Sequence, residues 1–265
     1  MTDLQRTFSG SIPEYYDKCL GPAWFDPFGK ELANLLPADP GGDVLEIACG
    51  TGLVTRRLRQ RLTPSRKLVA SDLSKPMLEY ARGKLSDLKG IEWREADATK
   101  LPFADREFAA VACALGFMFM PDKKAAFGEA RRVLRDGGLL IFSVWDRIEE
   151  NDCARLYAET IENLFPNDPE IRFRLPWDMH EEKQLRQLLK EGRFEAKRIE
   201  KKRLAIGPVD ARTIATGQVR GTPRGLLLEK RGMSMDEAID RVTAALEKAA
   251  GEQYGQAILI EARAV

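Results

Sequence analysis

The chain has 265 residues, 44% of them hydrophobic and 31% charged, which suffices to bury one large core or two modest ones and excludes disorder as its main state. Lys and Arg number 42 against 41 Asp and Glu, so the net charge of +1 supplies no overall field toward DNA or an anionic membrane and argues against nucleic-acid packaging. The longest apolar run, Phe108 to Met120, falls short of the roughly 20 residues that cross a bilayer, and the opening MTDLQRTFSGSI has neither the basic start nor the apolar block of a secretory leader. No membrane span is expected, and the cytoplasm is the expected location.

Taken in chain order, residues 1–40, with Tyr15, Tyr16, Trp24, Phe25 and Phe28, read as helical material laid over the edge of whatever follows. From Asp43 to Trp145 short apolar runs alternate with helical patterns, the signature of a parallel sheet with crossover helices. The expected strands are Val44–Ala48, Lys67–Ser71, Ile91–Glu95, Ala109–Ala114 and Leu139–Trp145. Between them, Leu53–Leu62, Pro76–Leu85 and Asp122–Leu134 carry helix-spaced apolar positions. Ser74 is placed to cap the second of these and Pro76 to open it. The Asp136-Gly137-Gly138 run then stops the third helix and turns the chain into its strand. Beyond Trp145, helices are expected over Asn151–Phe165 and Glu181–Leu189 around a loop from Pro166 to Pro176, and a mostly helical block over Asp210–Ala250. Alternation over Ala196–Ile206 and Ala257–Val265 predicts two last strands that pair with each other. The expected units are thus a cover at 1–40, a ligand-binding core at 41–147, a second cover with substrate-pocket insertions at 148–254 around strand 196–206, and a final core strand at 255–265.

Cys19, Cys49, Cys113 and Cys153 lie far apart, with no CxxC pair and a lone His180, so the spacing fits neither a disulfide framework nor a zinc site; buried free thiols and no metal are expected.

The informative string is VLEIACGTGLVT, residues 44–55: a buried strand that ends in Glu46-x-Ala48-x-Gly50-x-Gly52 and runs directly into a helix. Small residues let a ligand approach the backbone, and free amides at a helix start hold polar or anionic groups. Asp72 ends the next strand, twenty positions beyond Gly52, where a carboxylate accepts from ribose hydroxyls; Asp97-Ala98 follows the third, placed for an adenine edge. A nicotinamide dinucleotide would bring its pyrophosphate beside the Glu46 carboxylate, a repulsive arrangement in a poorly solvated site. Thr55 also stands where the dinucleotide fingerprint has a third Gly or Ala. S-adenosylmethionine removes that conflict, since it carries an ammonium and a sulfonium and no phosphate.

Residues 44–145 resemble a class I S-adenosylmethionine-dependent methyltransferase of the small-molecule branch, the ubiquinone and menaquinone methyltransferase-like proteins of the type 11 group. The resemblance rests on VLEIACGTG, SDLSKPMLEYAR, EADATKLPF, ALGFMFMPD and RRVLRDGGLLIFSVWD in that order. It implies a Rossmann-like, doubly wound, mostly parallel seven-stranded sheet with an antiparallel last strand and a helical cover. It also implies S-adenosylmethionine as methyl donor and S-adenosylhomocysteine as product. By that resemblance Glu46, Gly50 and Gly52 surround the methionine end of the donor, Asp72 meets the ribose, Met77 the adenine face, Asp97 and Ala98 its edge, and Leu115 and Gly116 lie beside the sulfonium; Ala48, Cys49, Thr51, Thr55 and Leu73 are further donor-binding residues. IPEYYDKCLGPAWFDPFG and the region around WDRIEENDCARLYAETIENLFPNDP resemble one bacterial subgroup of largely unassigned substrates. That subgroup's proline-aromatic-glycine-tyrosine-histidine-aspartate segment stands here altered as Pro176-Trp177-Asp178-Met179-His180-Glu181, keeping the histidine and losing the glycine and tyrosine.

Methyl transfer needs nucleophile and methyl held about 3–3.5 Å apart without water, and a base only where the acceptor must lose a proton. His180 with Glu181 is the candidate base, set against the reading of a lone histidine as a packed or surface residue. Tyr15, Tyr16, Phe25, Phe117 and Phe119 can build a dry aromatic pocket for a small, apolar or aromatic acceptor, or can serve as core. The basic runs Arg56, Arg57, Arg59, Arg61 and Lys197, Arg198, Lys201, Lys202, Arg203 interleave with acids and read as solvated faces rather than an RNA surface. The turn after the fourth strand, Cys113-Ala114-Leu115-Gly116, has neither the Asn/Asp-Pro-Pro-aromatic pattern of nucleic-acid amino-methyltransferases nor an acid for magnesium-dependent transfer. The partner expected is a small molecule, with no nucleic acid, and a homodimer is the assembly allowed for. The alternatives are a non-catalytic S-adenosylmethionine-binding protein and an RNA methyltransferase.

Overall fold

A computed structural model describes residues 8, 10–172, 174–249 and 251–265. Residues 1–7 and 9 of the expected N-terminal cover, and Phe173 and Ala250 of the second, lie outside the described residues.

Seven strands form one sheet: β1 Val44–Ile47, β2 Leu68–Asp72, β3 Ile91–Glu95, β4 Phe108–Ala114, β5 Leu134–Trp145, β6 Phe194–Ala205 and β7 Tyr254–Ala264, in the order β3-β2-β1-β4-β5-β7-β6. β1 to β5 pair in parallel, while β7 runs antiparallel to both β5 and β6, which therefore pair through it. The chain winds outward from β1 to β3 on one side and resumes at β4 on the other, so a topological switch lies between the carboxyl ends of β1 and β4, where open α/β sheets bind ligands.

The helices are α1 Ile12–Tyr15, α2 Asp26–Ala33, α3 Leu53–Arg61, α4 Lys75–Lys84, α5 Lys123–Val133, α6 Asp152–Leu164, α7 Glu182–Glu191, α8 Ala211–Arg220, α9 Arg224–Lys230 and α10 Met235–Lys248. Their starts are chemically marked. The side chains of Ser74, Asp122, Asp210 and Ser234 accept from the amides of Met77, Ala125, Thr213 and Glu237 at 3.5, 2.9, 2.9 and 3.1 Å. Between α1 and α2 the chain makes a wide π-helical segment, Tyr16–Phe25, that contains Pro22.

Alternation along the central strands divides the core. Leu45, Ile47, Val111, Cys113, Phe142 and Val144 pack with Phe127 and Val133 of α5 and Leu185 and Leu189 of α7. Val44, Ala110, Ala112, Leu139 and Ile141 pack with Leu32, Val54 and Leu58 of α2 and α3. Burial on both faces is why these strands read as nearly continuous apolar runs.

The largest boundary difference from expectation lies between α5 and β5. α5 stops at Val133, and Leu134 already pairs with Phe108 of β4. The ladder then shifts register before Ala110 meets Leu139, and the surplus residues bulge out at Asp136-Gly137-Gly138, with Gly137 at φ +70°. The glycines serve a bulge inside β5 rather than the stop of a helix.

Candidate functional site

By strand alternation, Glu46 falls on the face of β1 that carries α3. Its side chain is 1% exposed, and neither carboxylate oxygen has a hydrogen-bond partner. The hydroxyls of Thr51 and Thr55, on the loop and first turn that follow, are also buried and unpartnered. Burial pushes the Glu46 carboxyl up to about 8; the Thr55 hydroxyl, close to the carboxyl but not in hydrogen-bonding geometry with it, opposes that rise, and the Asp72 charge adds to it. A carboxyl kept without a partner in an apolar setting is costly and fits a cationic or hydrogen-bond-donating ligand.

The loop is shaped by backbone rather than side chains. Ala48, Gly50 and Gly52 have φ of 55°, 54° and 79°, and the Gly50 amide donates to Asp72 Oδ2 at 2.8 Å. A Cβ on Gly50 would meet nothing within 4 Å, whereas one on Gly52 would come within 2.9 Å of Leu85 and 3.1 Å of Ala81. Gly52 is therefore a packing glycine, and Gly50 the one beside open space.

Asp72 Oδ1 also accepts from the Ser74 amide at 2.7 Å, and burial raises its carboxyl above the usual range against these hydrogen bonds. Each oxygen keeps a lone pair for a ligand hydroxyl. Leu73 follows it, half-buried, and Met77 is buried one helical turn on. Asp97 Oδ1 accepts from the amide and hydroxyl of Thr99 at 2.8 and 2.7 Å, which fixes the turn that holds buried Ala98.

Across the switch, Leu115 has φ 52° and donates its amide to Ser143 on β5. A Cβ on Gly116 would lie 2.7 Å from both Ala48 Cβ and Cys113 Sγ, so a glycine there allows the β1 and β4 loops to touch.

Between these loops lies a cavity of about 40 Å³ lined by Glu46, Ala48, Cys49, Gly50, Thr51 and Leu115 together with Tyr16, Phe25, Gly29, Leu53, Val54, Ala114 and Ser143. Tyr16 stacks on Phe25 with ring centroids 4.4 Å apart, so the π-helical segment forms its roof. Gly29, Leu53, Val54, Ala114 and Ser143 were not singled out from the sequence. Ser143 had a visible signal, a lone polar residue in the apolar strand FSVW; Gly29 had none, because its approach to Val54 joins two distant segments.

The other aromatic candidates are spread out. Phe117 is fully buried between Phe127, at 4.5 Å, and Phe142, at 5.3 Å, and so belongs to the core. Phe119 is half-buried against that core, and Tyr15 lies under the Arg220 guanidinium at 6.0 Å. His180 does not line the cavity. Its Nδ1 is 2.6 Å from the Trp177 carbonyl and its Nε2 3.1 Å from Glu181 Oε1. Trp177 connects it to the roof through rings: it lies 5.9 Å from Trp145, which lies 6.2 Å from Phe25.

Apart from Arg56, the residues of the basic runs are held within the fold. Arg57 holds Asp26 with two hydrogen bonds of 2.9 and 2.7 Å, and Arg59 caps the carbonyls of Leu62 and Thr63. Arg61 reaches the Leu36 carbonyl, Lys197 pairs with Glu195, Arg198 with Glu200, Lys201 with Asp146 and Lys202 with Glu31, while Arg203 covers the Tyr254 ring. The four cysteines are buried free thiols. Among the described residues, no group of three or more metal-ligating side chains comes together and no helix is long and apolar enough to cross a membrane.

Residues 44–138 match the methyltransferase domain family. The ubiquinone/menaquinone biosynthesis C-methyltransferase UbiE of Hahella chejuensis is 40% identical over 104 residues, covering 38% of this chain and 42% of that protein. The malonyl-[acyl-carrier protein] O-methyltransferase of the same organism is 37% identical over 136 residues, covering 51% of this chain and 44% of that protein. The chain thus spans less than half the length of these curated relatives. Among solved structures, an S-adenosylmethionine-dependent methyltransferase from Aquifex aeolicus aligns with a TM-score of 0.54 at 16% identity, over 96% of this chain and 97% of that one. A geranyl diphosphate methyltransferase in complex with S-adenosylmethionine aligns with a TM-score of 0.54 at 16% identity, over 99% and 94%. At such identities these structures speak for the fold, a Rossmann-like mixed sheet with an antiparallel seventh strand. The domain match, the curated relatives and the fold agree that residues 44–138 carry a methyltransferase domain, similar to those of the class I S-adenosylmethionine-dependent enzymes.

Proposed function

We propose that the protein transfers the methyl group of S-adenosylmethionine to an oxygen or carbon of a small, apolar or aromatic acceptor. The observation that carries this reading is the buried, unpartnered Glu46 carboxylate at the head of the glycine loop, which suits a donor with positive charge and no phosphate. Curated relatives named for carbon and for oxygen methylation support both outcomes.

When bound, the donor supplies an electrophilic methyl on a sulfonium, which an acceptor takes by in-line displacement while the carbon–sulfur electron pair stays with sulfur. Glu46, Thr51 and Thr55 would hold the positive methionine end, Asp72 the ribose hydroxyls, and Met77, Asp97 and Ala98 the adenine. Tyr16 and Phe25 exclude water from the cleft and offer ring faces to a cation. The enclosed part of the cavity, about 40 Å³, is smaller than a donor, and the Tyr16–Phe25 segment that roofs it is the part that would move aside to admit one. Where the acceptor is acidic, His180 is the candidate base: with Nδ1 donating to the Trp177 carbonyl, Nε2 is the atom that would take the proton.

The test is incubation with methyl-labelled donor and a small-molecule cell extract, followed by mass analysis. A metabolite that gains one methyl supports the reading. Absence of any S-adenosylmethionine or S-adenosylhomocysteine binding in isothermal titration defeats it.

A further inference from the structure

Six buried side-chain atoms lack a hydrogen-bond partner among the described residues, and they fall into two groups. Four belong to Glu46 and Thr51, which line the cavity, and to Thr55 on the first turn of α3. The other two, Tyr157 Oη and Gln218 Oε1, are on the covering helices α6 and α8, where the donor has no part.

Both side chains are deeply buried, Tyr157 at 4% and Gln218 at 6% exposure. They stand on two helices that meet at Cys153. Gln218 Nε2 donates at 3.0 Å to the carbonyl of Cys153, and Tyr157 lies one helical turn beyond Cys153 on the same face of α6. The amide is thereby oriented: its nitrogen is spent on α6 and its oxygen is left to accept. The Arg224 guanidinium sits 4.6 Å over the Tyr157 ring, and a cation on that face strengthens the phenol as a donor. α8 also backs the roof of the donor cleft. A Cβ on Gly217 would lie 2.5 Å from Leu20, and one on Gly221 2.8 Å from the Tyr16 amide.

A free acceptor on one helix and a free donor on the other are satisfied together by a group that both donates and accepts, and a hydroxyl is the simplest such group. We propose that Tyr157 and Gln218 bind a hydroxyl group of the methyl acceptor, with Gln218 Oε1 accepting its proton and Tyr157 Oη donating to its oxygen. This rests on the methyltransferase reading and adds to it the class of acceptor, a hydroxyl-bearing one, and the residues that select it.

The experiment measures label transfer from tritiated S-adenosylmethionine into a small-molecule cell extract that is native, acetylated with acetic anhydride, or acetylated and then treated with mild base, which frees hydroxyls but not amines. Transfer should vanish on acetylation and return after base. Tyr157→Phe and Gln218→Met should each need about tenfold more extract for half-maximal transfer, with S-adenosylhomocysteine affinity unchanged. Tyr157→Phe should also hold or raise the melting temperature, because it removes a hydroxyl the fold does not satisfy. Transfer that survives acetylation, or variants that keep the wild-type extract dependence, overturns the proposal. So does a fall of several degrees in the melting temperature of Tyr157→Phe, the result expected if the pair serves only the fold or holds a structural water. A protein that binds no S-adenosylhomocysteine defeats the underlying reading instead.

Discussion

The amide of Gly50 donates to the Asp72 carboxylate at 2.8 Å, across 22 residues of chain, and so ties the turn after β1 to the end of β2. One carboxylate thereby sets the glycine loop, and under the proposed function the same group would meet the ribose of the donor. Asp72→Ala should lower S-adenosylhomocysteine affinity by at least tenfold and melt earlier, since the Gly50 and Ser74 amides lose their acceptor at about 1–3 kcal/mol each. Titration calorimetry and thermal denaturation check both, and unchanged affinity would remove Asp72 from the site.

Glu46 gives a pH prediction. Its carboxyl titrates near 8 in the free protein, faced by Asp72 on β2, Cys49 on the loop and Cys113 on β4. The anion is the form that suits a cationic donor, so binding at neutral pH should release close to one proton. Affinity should climb with pH up to about 8 and level off above. Calorimetry in buffers of different ionisation enthalpy reads the proton count, and no proton release at pH 7 would contradict it. Because the folded carboxyl is raised, the native state holds a proton that the unfolded chain has lost between the ordinary carboxyl range and about 8. Stability from this group is therefore complete at acid pH and lost as pH rises through that window, a dependence that Glu46→Gln should abolish.

Asp146 behaves in the opposite sense. Its side chain is 0% exposed and accepts from Arg147 N, Gln256 Nε2 and Lys201 Nζ at 2.9, 2.7 and 2.9 Å, joining the end of β5 to β7 and β6. Burial pushes its carboxyl up, but the Lys201 and Gln256 contacts win and hold it below the usual range. Its contribution is present above the ordinary carboxyl range and lost as pH falls through the depressed value. Asp146→Ala should cost about 2–4 kcal/mol in urea denaturation at pH 7, less near pH 3. Equal loss at both pH values would refute the assignment.

Two glycines should separate packing from access. Gly116→Ala places a methyl 2.7 Å from Ala48 and Cys113, so it should destabilise by about 1–3 kcal/mol through forced separation of the β1 and β4 loops. Gly50→Ala meets no atom, pays about 1–2 kcal/mol for φ +54°, and should weaken donor affinity beyond its effect on stability. Melting curves with and without S-adenosylhomocysteine distinguish the two; a stabilising ligand shift equal to wild type in Gly50→Ala would speak against a ligand beside that residue.

The alternation of strands and helices from Val44 to Trp145, the caps at Ser74 and Asp122, and the order of glycine loop, Asp72 and Asp97 could all be read along the chain. Each depends on neighbours a few residues apart: period, capping and turn chemistry are local. The acid at position 46 was legible as well, because strand alternation and the glycines after it put a carboxylate at a sheet end whatever else the chain does. What linear order could not supply was which distant side chains share a surface. Only packing sent Phe117 into the core between Phe127 and Phe142 while Tyr16 and Phe25 became the roof, although all are aromatics of similar pattern. Packing likewise brought Gly29 and Ser143 to the cavity and left Gln218 and Tyr157 without partners on facing helices, since a hydrogen bond made or missed between α6 and α8 is decided by how two amphipathic helices dock.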